Sequence, residues 1–347
     1  MRRPRKVRKF VACPPVPAPP LHDHSSLWWR EQSSEICARC GAGTITIGNE
    51  ARVAKLKNDP IDSTDLIEFL DTSSDFAFEL ACVQRLSELG FLCQHGGSYV
   101  DPVTKKARQF DIRAEKCDER NLLCVRCAVE CKSLTRAFPL LVMCVPRAPE
   151  ESFHELVFSV DSKKVPPKSD LDVPAFRKVC QTIRVDHRLS EYRARSPVGK
   201  SLAQVGRAND GTVTANDAEV FEKWSQALAS ASDLVDVAAW EGEINHGTFI
   251  SLVVPILVVP NGTLWRVDYC EDGARDGDPT QVDRCSFFIG RYYEAGDRMR
   301  GASLTISHLE FVTLSGLDDM TKSMLSPGNS WFPSIETIEK LLKQQNR

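Results

Sequence analysis

The pattern of apolar and polar positions becomes helical at Asp75. Ser73, Ser74 and Asp75 carry helix-capping side chains, Phe76, Leu80, Val83, Leu86 and Leu89 recur at helical spacing, and Gly90 supplies a stop. Short β signals follow at 91–93 and 99–100. The turn Asp101-Pro102-Val103-Thr104-Lys105-Lys106 leads into a hairpin return over 108–114. Leu122 to Cys131 is a continuous apolar-rich strand broken only by Arg126 and Glu130, and 139–145 supplies another. Residues 146–216 hold prolines, charges and little periodicity, and read as an insertion. Asp217 to Trp240 predicts a helix with apolar positions at 220, 221, 224, 228, 235 and 239. Strands are expected at 252–259 and 264–269 around the turn Pro260-Asn261-Gly262, then at 285–290 and 304–314, before a closing helix at 335–342. A helix, three strands, a long crossover carrying a helix and a further strand make an α/β chain whose mixed sheet is flanked by helices. The expected division is an arm over 1–60, a core over 61–270 with its insertion at about 146–216, and a β-rich extension with a closing helix over 271–347.

Composition changes this picture mainly at the start. Hydrophobic residues make up 42% and charged residues 26% of the chain, which places it among ordinary globular proteins. No apolar run approaches the roughly 18 residues of a membrane-spanning helix, so no membrane partner is expected. The arm begins Met1-Arg2-Arg3-Pro4-Arg5 and continues into Cys13-Pro14-Pro15-Val16-Pro17-Ala18-Pro19-Pro20. Such a basic, proline-rich sequence suits extended polyproline and no secretory signal. Thirteen cysteines in no regular framework fit buried thiols and a reducing, cytoplasmic setting. The net charge of −3 conceals a polarised chain. Residues 177–200 hold Arg177, Lys178, Arg184, Arg188, Arg193, Arg195 and Lys200 against Asp186 and Glu191, whereas 210–243 hold eight acids against one lysine. The basic stretch is the expected contact for a phosphate backbone.

Three carboxylates and a lysine stand where folding alone would not put them. Glu79 projects onto the apolar face of its helix, and Asp111 lies inside a strand between Phe110 and Ile112. Glu130 ends a buried strand, and alternation puts Lys132 on the same face, with Cys131 on the other. Buried charges neutralise, pair or hold a metal. Two carboxylates on adjacent strands can clamp a divalent cation, Mg²⁺ first and Mn²⁺ as an alternative. A lysine beside them can orient a water and offset charge on a phosphate.

Asp111 followed after eighteen residues by Glu130-Cys131-Lys132 resembles the signature of the PD-(D/E)xK, or restriction-endonuclease-like, nuclease superfamily. The preceding helix with Glu79 and the turn leading to Gln109-Phe110-Asp111 extend the likeness over about 75–145, and it resumes at 217–240 and 252–259. Phe110 stands where the family name has proline. The resemblance implies a restriction-endonuclease-like sheet and a nuclease acting on DNA. It also implies Asp111, Glu130 and the Cys131 carbonyl as metal ligands, Lys132 as catalytic lysine and Glu79 as an accessory acid. The rival reading is a non-catalytic nucleic-acid-binding or interaction protein that keeps the fold.

Other motifs carry less. Gly199-Lys200-Ser201 lacks the earlier glycine of a phosphate-binding loop, since position 194 is Ala194. His22, His24, Cys37 and Cys40 offer one C-x-x-C and no second, a poor zinc site. Cys117, Cys124, Cys127 and Cys131 do not share one strand face, which favours core packing over an iron–sulfur cluster. His246 reads as a solvated loop residue. Gln109 and Arg113 share the face of Asp111, and Arg113 reads equally as a structural partner of a carboxylate.

Overall fold

The structure is a computed structural model, and it describes residues 59–345 apart from 103, 162, 164–179, 217, 294–302 and 325–328. Two helices lead. In α1 (Ser63–Thr72) a capping box forms in which the Asp62 carboxylate accepts from the Thr64 and Asp65 amides. After α2 (Phe76–Glu88) an antiparallel meander follows, β1 (Leu92–Val100), β2 (Ala107–Cys117) and β3 (Leu123–Cys131). Next come β4 (Leu140–Pro146), β5 (Phe153–Val160), β6 (Cys180–Asp186), β7 (Pro197–Arg207) and β8 (Val213–Ala215). The helix α3 (Ala218–Ile244) leads into β9 (Thr248–Val259) and β10 (Leu264–Tyr269). The described chain ends with β11 (Arg275–Gln281), β12 (Arg284–Tyr293), β13 (Leu304–Thr313), α4 (Leu314–Met324) and α5 (Ile335–Gln345).

The strands form one large mixed sheet flanked by helices, in the order β1-β2-β3-β9-β13-β12-β7-β4-β10-β11, with β5, β6 and β8 attached beside this path. Residues 61–347 make one unit. The stretch 146–216 is therefore no irregular insertion: β5 pairs with β9, and β7 pairs with β4 and β12. Seven of the eight residues of β5 are buried, so no regular polar position marks its period in the sequence. Likewise β12 and β13 of the expected extension are interior strands of the sheet. The zinc candidates of the arm lie outside the described residues.

β9 is the axis. One of its edges runs parallel to β3 from Ile250 to Val258, and the other edge is divided. Its Thr248–Leu252 half pairs antiparallel with β5, and its Ile256–Val259 half pairs parallel with β13. Even-numbered residues Ile250 to Val258 pack with Cys82 and Leu86 of α2, Leu317 of α4 and Ile338 of α5. Leu257 and Val259 pack on the other face with Val220 and Ala227 of α3. Burial on both faces explains the unbroken apolar run.

The face of α2 that meets the sheet carries Val83, Leu86 and Leu89 of the expected stripe together with Cys82, but not its first two residues. Phe76 and Leu80 are about half exposed, while Cys82 and Leu86 are fully buried. The expectation that all four clustered cysteines serve as core thiols holds for Cys127 and Cys131 only. Cys117 and Cys124 face each other across β2 and β3, on one side of the sheet, and are joined in a disulfide. Among the described residues no helix is long and apolar enough to cross a membrane.

Where β5 and β13 part from β9, two histidines are buried. The Nε2–H of His154 donates to the Trp331 carbonyl at 2.9 Å, so its Nδ1 accepts from the Ser190 hydroxyl at 2.8 Å. His308 stacks on Tyr192 with ring centroids 3.6 Å apart. Burial holds the His154 imidazole down at about 4 and His308 well below the usual imidazole range. In the unfolded chain both return to about 6.5. Neutral burial thus contributes its full stability above that value, and the contribution is lost as pH falls toward 4, because only the unfolded chain takes up the protons. Thermal unfolding measured between about pH 7 and pH 5 should show a loss of roughly 2 kcal/mol from His154 alone. His154→Gln keeps a donor and an acceptor and should flatten this dependence; an unchanged slope would assign it to other groups.

Candidate active site

Ile112 faces Val129 across β2 and β3, so Asp111 and Glu130 are neighbours on one face at the strand ends. The Cys131 amide donates to Asp111 Oδ2 at 2.8 Å, and the Asp111 amide lies 3.4 Å from Glu130 Oε1. Glu130 is fully buried, and its Oε2 has no hydrogen-bond partner. Burial pushes the Glu130 carboxyl up to about 9, with the Asp111 charge adding to the shift and Lys223 opposing it.

The ammonium group that meets both carboxylates belongs to Lys223 of α3. Its Nζ lies 2.7 Å from Asp111 Oδ2 and 3.7 Å from Glu130 Oε2. These acids outweigh the burial that would lower it and hold Lys223 above the ordinary lysine value. Lys132 stands one step along. Its amide continues the ladder to the Val258 carbonyl at 3.0 Å, and its Nζ is 3.0 Å from Glu219 and 3.4 Å from Asp75. Burial alone would lower its pKa, but Glu219 and Asp75 raise it. Asp75 also accepts from the Ser133 amide at 2.7 Å and makes no side-chain cap bond to α2. Four carboxylates thus share two ammonium groups.

α3 is fixed over this strand end by polar struts along one stripe. Arg113 of β2 pairs with Asp233 at 2.9 Å, and Arg126 of β3 is held between Glu115 and Glu241. The spacing of 219, 223, 230, 233 and 241 returns these side chains to one side of the helix. At the far end Gly242 lets the helix meet β5: a Cβ there would stand 2.4 Å from the Val160 nitrogen. Arg113 accordingly takes the structural role that its sequence position allowed.

Not every expected residue joins the cluster. Glu79 pairs with His95 at 2.9 Å, and His95 faces Ile112, which puts this pair on the opposite side of the sheet from Asp111. The Cys131 side chain is buried on that opposite side too, and its contact with Asp111 is made by the amide. The basic stretch is partly neutralised in place, since Arg184 pairs with Asp186 and Lys200 with Glu151, while Arg177 and Lys178 lie outside the described residues. His246 pairs with Asp161 at 2.9 Å. Among the described residues no three His, Cys, Asp or Glu side chains are grouped as a metal site.

Lys223, Glu219 and Asp75 are the participants that sequence reasoning missed. The signal for Lys223 was its position as the single lysine of an acidic helix. Asp75 was read only as a helix cap. No family model, curated protein or solved structure matches the chain.

Asp75→Ala removes the acceptor of the Ser133 amide and one of the two partners of Lys132. Loss of that charged hydrogen bond should cost about 1–2 kcal/mol in chemical denaturation. Unchanged stability would mean that Asp75 does not tie α2 to the end of β3.

Proposed function

We propose that this chain is a metal-dependent nuclease that hydrolyses phosphodiester bonds, with DNA as its substrate class. The observation that carries the reading is the convergence of Asp111 and Glu130 from adjacent strands on one cation, the Lys223 ammonium. Two features suit a divalent ion: Glu130 Oε2 is buried and unsatisfied, and the surrounding acids outnumber the lysines. Asp111 and Glu130 would hold Mg²⁺, or Mn²⁺ in its place, a ligand set small enough for an ion that keeps several waters. When bound, such an ion supplies Lewis acidity and a more acidic water.

The chain's own groups account for the rest. Glu219 and Asp75 orient the Lys132 ammonium, which steadies the attacking water and offsets charge on the phosphate. Lys223 neutralises the carboxylates when no metal is held and must release Asp111 for one to be held there. Glu79 stays outside the reacting set. The choice of DNA rests on the resemblance of Asp111 and Glu130-Cys131-Lys132 to the restriction-endonuclease-like nucleases. The rival, a binding protein without turnover, is favoured by one observation, that Lys132 touches neither Asp111 nor Glu130.

Mn²⁺ binding, read by electron paramagnetic resonance, and cleavage of linear and circular DNA with Mg²⁺ separate these readings. Asp111→Ala should lose both. Lys132→Ala should keep Mn²⁺ and lose cleavage by about 100-fold or more. Lys223→Met should bind Mn²⁺ more tightly than the parent protein, because a competing cation is gone. Binding of metal and DNA without cleavage by the parent protein would favour the rival, and absence of any metal binding would sink the nuclease reading.

A further inference from the structure

Between β4, β10 and β12 a solvent-open cavity of about 260 Å³ is lined by Arg147, Arg266 and Arg284 together with Glu191, Ser196 and Ser286. Its charges are unequally committed. Arg284 is bound by two acids, Glu310 at 2.8 Å and Glu191 at 2.9 Å. Both acids are further occupied, Glu310 by the Ser286 hydroxyl at 2.9 Å and Glu191 by Ser330.

The other two guanidinium groups are less satisfied. Arg147 is only 4% exposed, yet its one hydrogen bond runs from Nη1 to the Arg193 carbonyl at 2.9 Å, and it makes no ion pair. Its Nε has no partner, and its guanidinium lies over the Tyr192 ring. An arginine so deeply buried is normally paired. Arg266 stands 3.2 Å from Asp268, but its Nε makes no aligned hydrogen bond. Arg147, without an ion pair among the described residues, and Arg266, paired with Asp268, thus line one open cavity together with Ser196.

We propose that this cavity binds a small phosphate-class anion, either inorganic phosphate or the phosphate of a phosphomonoester. Arg147 and Arg266 supply charge-assisted donors from two strands' neighbourhoods, and guanidinium forks match the tetrahedral oxygens of such an ion. Ser196 adds a neutral donor. Glu191, held by Arg284 and Ser330, closes one wall. The site does not depend on the nuclease reading, because its lining includes none of Asp111, Glu130, Lys132 and Lys223.

The test is calorimetric titration of the full chain with sodium phosphate, and separately with glycerol phosphate, at ionic strength matched with chloride. One saturable site is expected. Arg266→Gln, at the half-exposed rim, should weaken it about tenfold or more, the scale of one charge-assisted hydrogen bond. Arg147→Lys should do the same while retaining the charge, and Arg266→Gln decides alone if that protein fails to fold. Lys132→Ala should leave the binding unchanged, which separates this cavity from the lysines beside Asp111 and Glu130. Binding of glycerol phosphate alone would identify a phosphomonoester site. Absence of saturable binding for both anions, or binding that survives Arg266→Gln and is lost in Lys132→Ala, would overturn the proposal.

Discussion

The fold depends on the burial of β9 on both faces and both edges. A strand with apolar residues pointing both ways must find a layer on each side, and α3 supplies one while α2, α4 and α5 supply the other. Its backbone groups must also be satisfied along two edges, and the chain meets this with three strands. β3 takes one edge, and β5 and β13 divide the other. Because β3 is locked to β9 over nine residue pairs, the end of β3 is held in place. That is where Asp111, Glu130 and Lys132 are presented.

The charges of the cluster at that end are met by groups that the helices bring to it. Asp111 and Glu130 would repel one another without a cation, and Lys223 provides it from α3. Lys132 in turn is anchored by one acid from each of two helices, Asp75 before α2 and Glu219 in α3. The struts through Arg113 and Arg126 make this arrangement a property of how α3 lies along the sheet.

What the sequence disclosed was local. A single helix turn or a strand alternation is enough to predict the element after Asp75, the strand through Glu130, and the shared face of Glu130 and Lys132. The disulfide between Cys117 and Cys124 was not legible, because the expected hairpin return stops at 114 and leaves Cys117 off the strand that faces Cys124. β5 escaped because both its faces are buried, and the first turn of α2 misleads because the small Cys82 is buried where Phe76 and Leu80 are half exposed. Lys223 stands 112 residues from Asp111, and nothing in periodicity spans that interval. Only the lie of α3 on the sheet joins them.

The register of β9 also separates two chemistries by parity. Glu130 lies beside Leu257, and Glu310 lies beside Ile256 on the opposite flank, so the two buried acids sit at nearly the same height on opposite faces. One sheet's thickness divides a lysine-and-carboxylate cluster from the pair of Glu310 with Arg284. A substitution in β9 perturbs packing at one position. Deletion of a single residue within it would turn every later side chain over and present the wrong face to each flank. This strand should therefore tolerate changes of residue far better than changes of length.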